Sequence, residues 1–222
     1  FVPAFGALPF WLGAPGLPPV YAYFEGVSGI TTTGASVITG LPDLPQGLNL
    51  WRGMMNWLGG LGIAFIAMIF LPIMRVGGMQ FFRTEGFDTF GKALPRATDI
   101  ARQLLIFYCT LTVIIIATYS ALGMNELDAV VHGMSTISTG GFSTRDTSFS
   151  NYSPAIHYAA TVFILISSLP YIRYVQLMSG ASGPLWRDAQ ARAYLRWVLT
   201  AVLLLAGWQI WSTGMGVEPA FR

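Results

Sequence analysis

Four stretches of this chain carry no charged side chain: residues 53–74, 103–125, 147–172 (with His157 neutral) and 197–217. Each is long enough for a bilayer-crossing helix, because a hydrocarbon core of about 30 Å takes about 20 helical residues and penalises every charge placed inside it. That pattern constrains the chain to a membrane. Composition agrees. Only 10% of the 222 residues are charged and the mean hydropathy is +0.57, whereas a soluble domain carries about 25% charged residues. A soluble enzyme domain, a disordered chain and a nucleic-acid binder are thereby excluded. The net charge of +2 is too small for a polyanion-binding surface. A single cysteine, Cys109, excludes a disulfide framework or a Cys-based metal site.

The few charges are unevenly distributed. Connectors 75–102 and 173–196 together hold nine of the twelve Lys and Arg against four acids, and the remaining connectors hold three against six. The positive-inside rule places the two basic connectors in the cytoplasm and the others outside.

Two outer segments stand apart. Residues 21–40 read YAYFEGVSGITTTGASVITG and residues 127–144 read LDAVVHGMSTISTGGFST. Each opens with a semi-apolar stretch of about three helical turns and runs into Ser, Thr and Gly. Such a stretch is too short to span and too apolar for a free loop, so it reads as a re-entrant helix returning as extended chain. Set 107 positions apart, the segments match: Ser28, Ile30, Thr32, Gly34 and Ser36 meet identical residues in Ser135, Ile137, Thr139, Gly141 and Ser143. The repeating unit is span, re-entrant segment, span.

Chemistry gives a Thr/Gly segment a reason to sit at membrane depth. Glycine reaches positive φ without a Cβ clash, and aligned carbonyls replace the hydration shell of a monovalent cation. Alone, either segment would read as an outer turn. The matched pair, each before a span, points to a pore. HExxH, GxSxG and a phosphate-binding loop with Lys are all missing, so the chain is not expected to be an enzyme.

These residues also resemble a known family. FEGVSGITTTGAS, MSTISTGGFST and WRGMMNWLGGLGIAF (residues 51–65) are similar to the first two pore-loop signatures, and the following span, of the Trk/Ktr/HKT potassium transporter superfamily, and among its branches to the TrkH-type potassium uptake subunits. The resemblance implies four span–loop–span repeats around a carbonyl filter, with a filter glycine in each. Carried over, those glycines are Gly34 and Gly141, with Thr31, Thr32 and Thr33 in the first loop and Ser138, Thr139 and Gly140 in the second. Glycine rather than serine at position 34 implies K⁺ as the transported ion, with no covalent cofactor. The resemblance further implies an all-α fold in the bacterial inner membrane with filter loops on the periplasmic side. It also implies pairing of two pore subunits and a cytoplasmic nucleotide-binding regulatory subunit of the TrkA type. Residues 1–78 then form a partial first repeat (loop 21–40, span 53–74). Residues 79–180 form the second (spans 103–125 and 153–174, loop 127–144), and 181–222 open a third. The expectation is a piece of a longer chain that does not conduct alone. The alternative is a non-transporting regulatory or assembly subunit with a pore-like fold.

Other residues tempt a functional reading. Glu25 precedes the first loop where His132 stands in the second copy, and bracing is the expected role, since an unpaired charge at that depth is costly. His132 and His157 lack a second ligand at useful spacing. Cys109 reads as buried packing. Pro72 and Pro170 are expected to bend or end spans, and Trp51, Trp57, Trp197, Trp208 and Trp211 to anchor at interfaces.

Overall fold

The computed structural model describes residues 1–66, 97–178, 180, 187–214 and 216. The later part of the expected span 53–74, with Pro72, and most of connector 75–102 lie outside the described residues. Among the described residues all regular structure is helical: α1 (Val2–Leu12), α2 (Pro19–Ile30), a 3₁₀ turn (Leu41–Asp43), α3 (Gln46–Phe65), α4 (Ala97–Ala121), α5 (Glu126–Ile137), α6 (Pro154–Ser167), α7 (Tyr171–Met178) and α8 (Ala189–Thr213). The chain forms two compact units, residues 1–168 and 169–222.

In the first unit α1 packs along α2, and α5 packs against α3, α4 and α6. At 12 residues each, α2 and α5 are about 18 Å long, too short to cross a bilayer and close to the three helical turns expected from the sequence. Proline opens α2, with Pro19 at its first position, where the missing N–H costs nothing. The Asn125 side chain caps α5 by accepting from Asp128 N (2.8 Å). A hydrophobic cluster of Phe10, Ala22, Ile38, Leu41, Met55 and Phe142 joins α1, α2 and α3 to the stretches after α2 and α5.

The WLGGLG run in α3 has a packing reason. A Cβ on Gly59 would collide with the Ile30 carbonyl, and one on Gly60 would lie 2.7 Å from Ser138 Cβ. Two adjacent glycines thus let α3 lie directly against the ends of both short helices.

Among the described residues, two helices are each long and apolar enough to cross a membrane: α4 over Asp99–Ala121, and α8. The expected boundaries shift for reasons hydropathy does not register. α4 stops at Ala121 rather than 125, because the chain turns at Gly123 (φ 101°) and Asn125 belongs to the cap of α5. α3 begins at Gln46, ahead of the uncharged run. The expected span 153–174 is not one helix: α6 ends at Ser167, and Pro170 stands immediately before α7, since a proline cannot continue the hydrogen-bond ladder.

In the second unit much of connector 173–196 is helical. Asp188 caps α8 by accepting from Ala191 N (2.9 Å) and from Arg173 Nε, and Arg173 Nη1 also donates to Gln176 Oε1 (3.0 Å). Gly214 closes α8 in the left-handed conformation (φ 65°).

The tryptophans divide. Trp197, Trp208 and Trp211 are 75%, 62% and 76% exposed, as lipid-facing anchors would be. Trp51 and Trp57 instead bind protein: Trp51 Nε1 donates to Gly6 O and Trp57 Nε1 to Thr112 Oγ1, both at 3.0 Å. Cys109 is half-buried rather than buried. His157 is satisfied, its Nε2 bonded to Phe149 O (2.7 Å).

Candidate functional site

The two Ser/Thr/Gly segments leave their helices in the same way. After α2, Thr32 N donates to Gly29 O (3.1 Å) and Thr33 N to Ser28 O (2.9 Å); after α5, Thr139 N donates to Thr136 O (3.1 Å) and Gly140 N to Ser135 O (2.8 Å). This is the two-bond Schellman ending, which needs a left-handed residue just past the cap. Threonine fills that position in both copies, Thr32 at φ 55° and Thr139 at φ 50°. A β-branched residue is strained there. Thr31 Oγ1 and Ser138 Oγ, also equivalent, donate back to Val27 O (2.7 Å) and Met134 O (2.9 Å). Thr31 Oγ1 further shares a bond with Thr33 Oγ1 (2.8 Å), and Ser28 Oγ donates to Ala35 O (2.6 Å). The caps therefore use carbonyls on the helix side of the segment. Among the described residues, none of the carbonyls of Thr31, Thr32, Thr33 and Gly34 accepts a hydrogen bond.

Gly34 and Gly141 both hold positive φ, 74° and 91°, and the two segments meet at them. A Cβ on Gly34 would collide with the Gly140 carbonyl and lie 3.0 Å from Gly141 Cα, whereas a Cβ on Gly141 would have 3.7 Å to Gly34 Cα. Asn56 of α3 links the same pair of elements: in the amide orientation that satisfies both its ends, it donates to Gly29 O (2.8 Å) and accepts from Phe142 N (3.2 Å).

A shell of polar residues lies behind each segment. Glu25, fully buried, accepts from Ser36 Oγ (2.7 Å) and Val37 N (2.6 Å), so its carboxylate braces the chain just past Gly34. His132, its counterpart and equally buried, bonds Ser143 Oγ through Nε2 (2.9 Å) and Asp128 O through Nδ1 (2.8 Å). One position thus does one task with two chemistries.

Arg52 and Asp128 complete the shell, and neither stands out in the sequence. Arg52 is 1% exposed, faces Glu25, and donates to Ser143 O (2.8 Å) and Ser36 Oγ (3.1 Å). Asp128 accepts from Thr144 Oγ1, Tyr152 Oη (2.6 Å) and Arg145 Nη2 (3.0 Å). Burial pushes the Asp128 carboxyl up, but the bonds from Thr144, Tyr152 and Arg145 and the Arg145 charge outweigh it and hold the group below its ordinary value. Burial, then the bond to Asp128, pushes the Tyr152 phenol up to about 12. The one hint to Arg52 in the sequence is Glu25, a carboxylate at that depth that requires a partner. Among the described residues no group of His, Cys, Asp and Glu is placed to hold a metal ion.

Known proteins resemble this chain in sequence and fold. The TrkH family, described as cation transport proteins, matches residues 5–213. Over 222 residues the chain is 41% identical to the Trk system potassium uptake protein TrkI of Halomonas elongata, covering 99% of this chain and 44% of that protein. It is 39% identical over 226 residues to the Trk system potassium uptake protein TrkH of Escherichia coli K12, covering 97% of this chain and 47% of that one. The crystal structure of the potassium transporter TrkH from Vibrio parahaemolyticus superposes with a TM-score of 0.86 at 31% identity, covering 99% of this chain and 45% of that chain. The chain spans less than half the length of the relatives it matches.

Proposed function

The chain belongs to the TrkH family of cation transport proteins, and from that premise we propose that it supplies two of the filter loops of a K⁺ uptake pore. The observation that carries this reading is the paired geometry of the loops: the same left-handed threonine, the same helix ending and the same positive-φ glycine, 107 positions apart. Thr31, Thr32, Thr33 and Gly34 in the first loop, and Ser138, Thr139, Gly140 and Gly141 in the second, offer backbone carbonyls to the ion. Carbonyl dipoles replace water around K⁺ without a fixed charge that would hold it. The carbonyls of Thr31 to Gly34 are uncommitted among the described residues, which suits them to that task.

Ions enter from the periplasmic side of the inner membrane, shed water at the loops and move down their electrochemical gradient. Residues 1–78, 79–180 and 181–222 serve as part of a first repeat, a second repeat and the opening of a third. The relatives' greater length accommodates two further loops, without which this piece does not enclose an ion. The full-length protein pairs with a second copy and docks a TrkA-type nucleotide-binding regulatory subunit on its cytoplasmic face.

The test is complementation of a K⁺-uptake-deficient cell by the full-length parent carrying Gly34→Ser or Gly141→Ser. Growth at limiting K⁺, or the K⁺/Na⁺ preference, is expected to fall in both variants. Unchanged growth and unchanged preference would overturn the filter reading. A parent that reaches the membrane and supports no K⁺ uptake even unmutated would favour a non-transporting assembly subunit.

A further inference from the structure

We propose that Arg52 is a positioning residue for ion selectivity, a single guanidinium that sets the spacing between the two loops; the inference rests on the filter reading above. Arg52 lies in α3, behind the first loop, and touches both loops at equivalent positions. Its Nη2 donates to Ser36 Oγ at 3.1 Å and its Nη1 to Ser143 O at 2.8 Å. Ser36 and Ser143 each stand two residues past the loop glycine. The guanidinium carbon sits 4.2 Å over the Phe142 ring, so the second loop packs against the face of the group as well as its edge. Nη1 also reaches Asn49 Oδ1 at 3.5 Å, a weaker contact within α3.

Stability alone does not account for such a group. A buried ion pair often holds a fold no better than apolar residues of the same volume, because desolvation offsets the attraction. Here Arg52 Nε and Glu25 Oε2 face each other at 3.5 Å, and neither atom makes a hydrogen bond among the described residues. The pair is balanced in charge and loosely joined. What arginine supplies instead is geometry: a planar fork with donors at fixed angles, which a lysine ammonium lacks. Glu25 neutralises the fork and, through Oε1, holds Ser36 and Val37 against it. Ser143 is held from its other side, with His132 on its hydroxyl. Other groups also tie the two segments, Asn56 between Gly29 and Phe142 and the Asp146 carboxylate, which accepts from Gly40 N (2.9 Å) and Leu41 N (3.2 Å). At the level of Ser36 and Ser143, however, the link is Arg52, and a change in that spacing changes the ion cavity that discriminates K⁺ from Na⁺.

The experiment uses the full-length parent carrying Arg52→Lys, with Ser36→Ala as a second variant that leaves every charge in place and Gly141→Ala as a control on the filter. Membrane abundance, K⁺ uptake and Na⁺ uptake are measured together. The K⁺/Na⁺ ratio is independent of how much protein folds. For Arg52→Lys the ratio is expected to fall by about tenfold or more, the effect of losing one hydrogen bond to a charged group, with K⁺ uptake per molecule retained. Ser36→Ala is expected to move the ratio in the same direction by less. If Gly141→Ala shifts the ratio while Arg52→Lys and Ser36→Ala leave it at the parental value, Arg52 does not position the loops and the filter reading stands. An unchanged ratio in Gly141→Ala overturns the filter reading and this inference with it. Should Arg52→Lys fail to reach the membrane, Ser36→Ala decides: a lowered ratio supports the role, and a parental ratio overturns it.

Discussion

Thr32 and Thr139 hold the same left-handed backbone, φ 55° and 50°, two positions beyond the last residue of α2 and of α5. Glycine is the usual occupant of that position. A threonine there costs about 1–2 kcal/mol, and two copies of the same strained residue mark the segments as parts whose shape matters more than their local comfort.

Relief of that strain is measurable. Thr139→Gly removes the left-handed penalty but adds chain entropy of about 0.5–1 kcal/mol to the unfolded state, so thermal stability of the purified full-length protein is expected to hold. Thr139→Val keeps the β-branch and loses the bond from Oγ1 to Ser138 O (2.8 Å). It is expected to lose about 1 kcal/mol; a Val variant as stable as the parent would show that the bond contributes nothing, and a Gly variant that melts well below the parent would contradict the strain argument.

Gly34 and Gly141 respond unequally to the same change. Both alanine variants meet positive φ, but only at position 34 does the new methyl collide with the opposite loop, at the Gly140 carbonyl. Gly34→Ala is therefore expected to abolish K⁺-limited growth of the complemented strain, while Gly141→Ala reduces it with protein still in the membrane. Equal effects would mean that the loops do not touch as described.

Asp128 carries a pH signature. Its folded carboxyl lies below the ordinary 3.8, so the charged form stabilises the fold at any pH above about 4, and the gain is lost as pH falls through the folded value. Asp128→Asn weakens the hydrogen bonds that Asn125, Thr144, Tyr152 and Arg145 donate to a charged acceptor and is expected to cost about 1–3 kcal/mol near neutral pH. Because Arg145 is 37% exposed, its charge contributes little of this. The gap between the melting curves of parent and variant is expected to narrow progressively as pH falls below about 4; a gap that does not narrow at all on acidification would assign the effect to shape rather than charge.

In the second unit Asp188 is the cap of α8 and the acceptor of Arg173. Asp188→Ala is expected to destabilise the start of α8 by about 1 kcal/mol, visible as faster amide exchange over residues 189–192, whereas Asp188→Asn retains most of the cap.

The elements most legible in the sequence are those written in runs. Uncharged stretches announce α4 and α8, and identities at alternate positions announce the paired segments. Boundaries were less legible, because a cap such as Asn125 or a break such as Pro170 is one residue inside an apolar stretch. The support behind the loops was hidden for a different reason. Arg52 counts in the sequence as one more connector charge, and Asn56 as one polar residue in a span. Their meaning depends on Ser143 and Phe142, about ninety positions away, and no local pattern carries that information. Glu25 was the exception, since a carboxylate at that depth requires a partner.

The two copies are related, but they are not interchangeable parts. The first loop rests on a carboxylate, Glu25, that faces Arg52; the second rests on an imidazole, His132, that bonds Ser143 Oγ and Asp128 O. Transplanting the second helix and loop into the first position would leave the buried guanidinium without its counter-charge. The two helix–loop pairs are thus not exchangeable at Arg52, whatever the similarity of the backbones, because the first position carries the carboxylate that faces the guanidinium and the second does not.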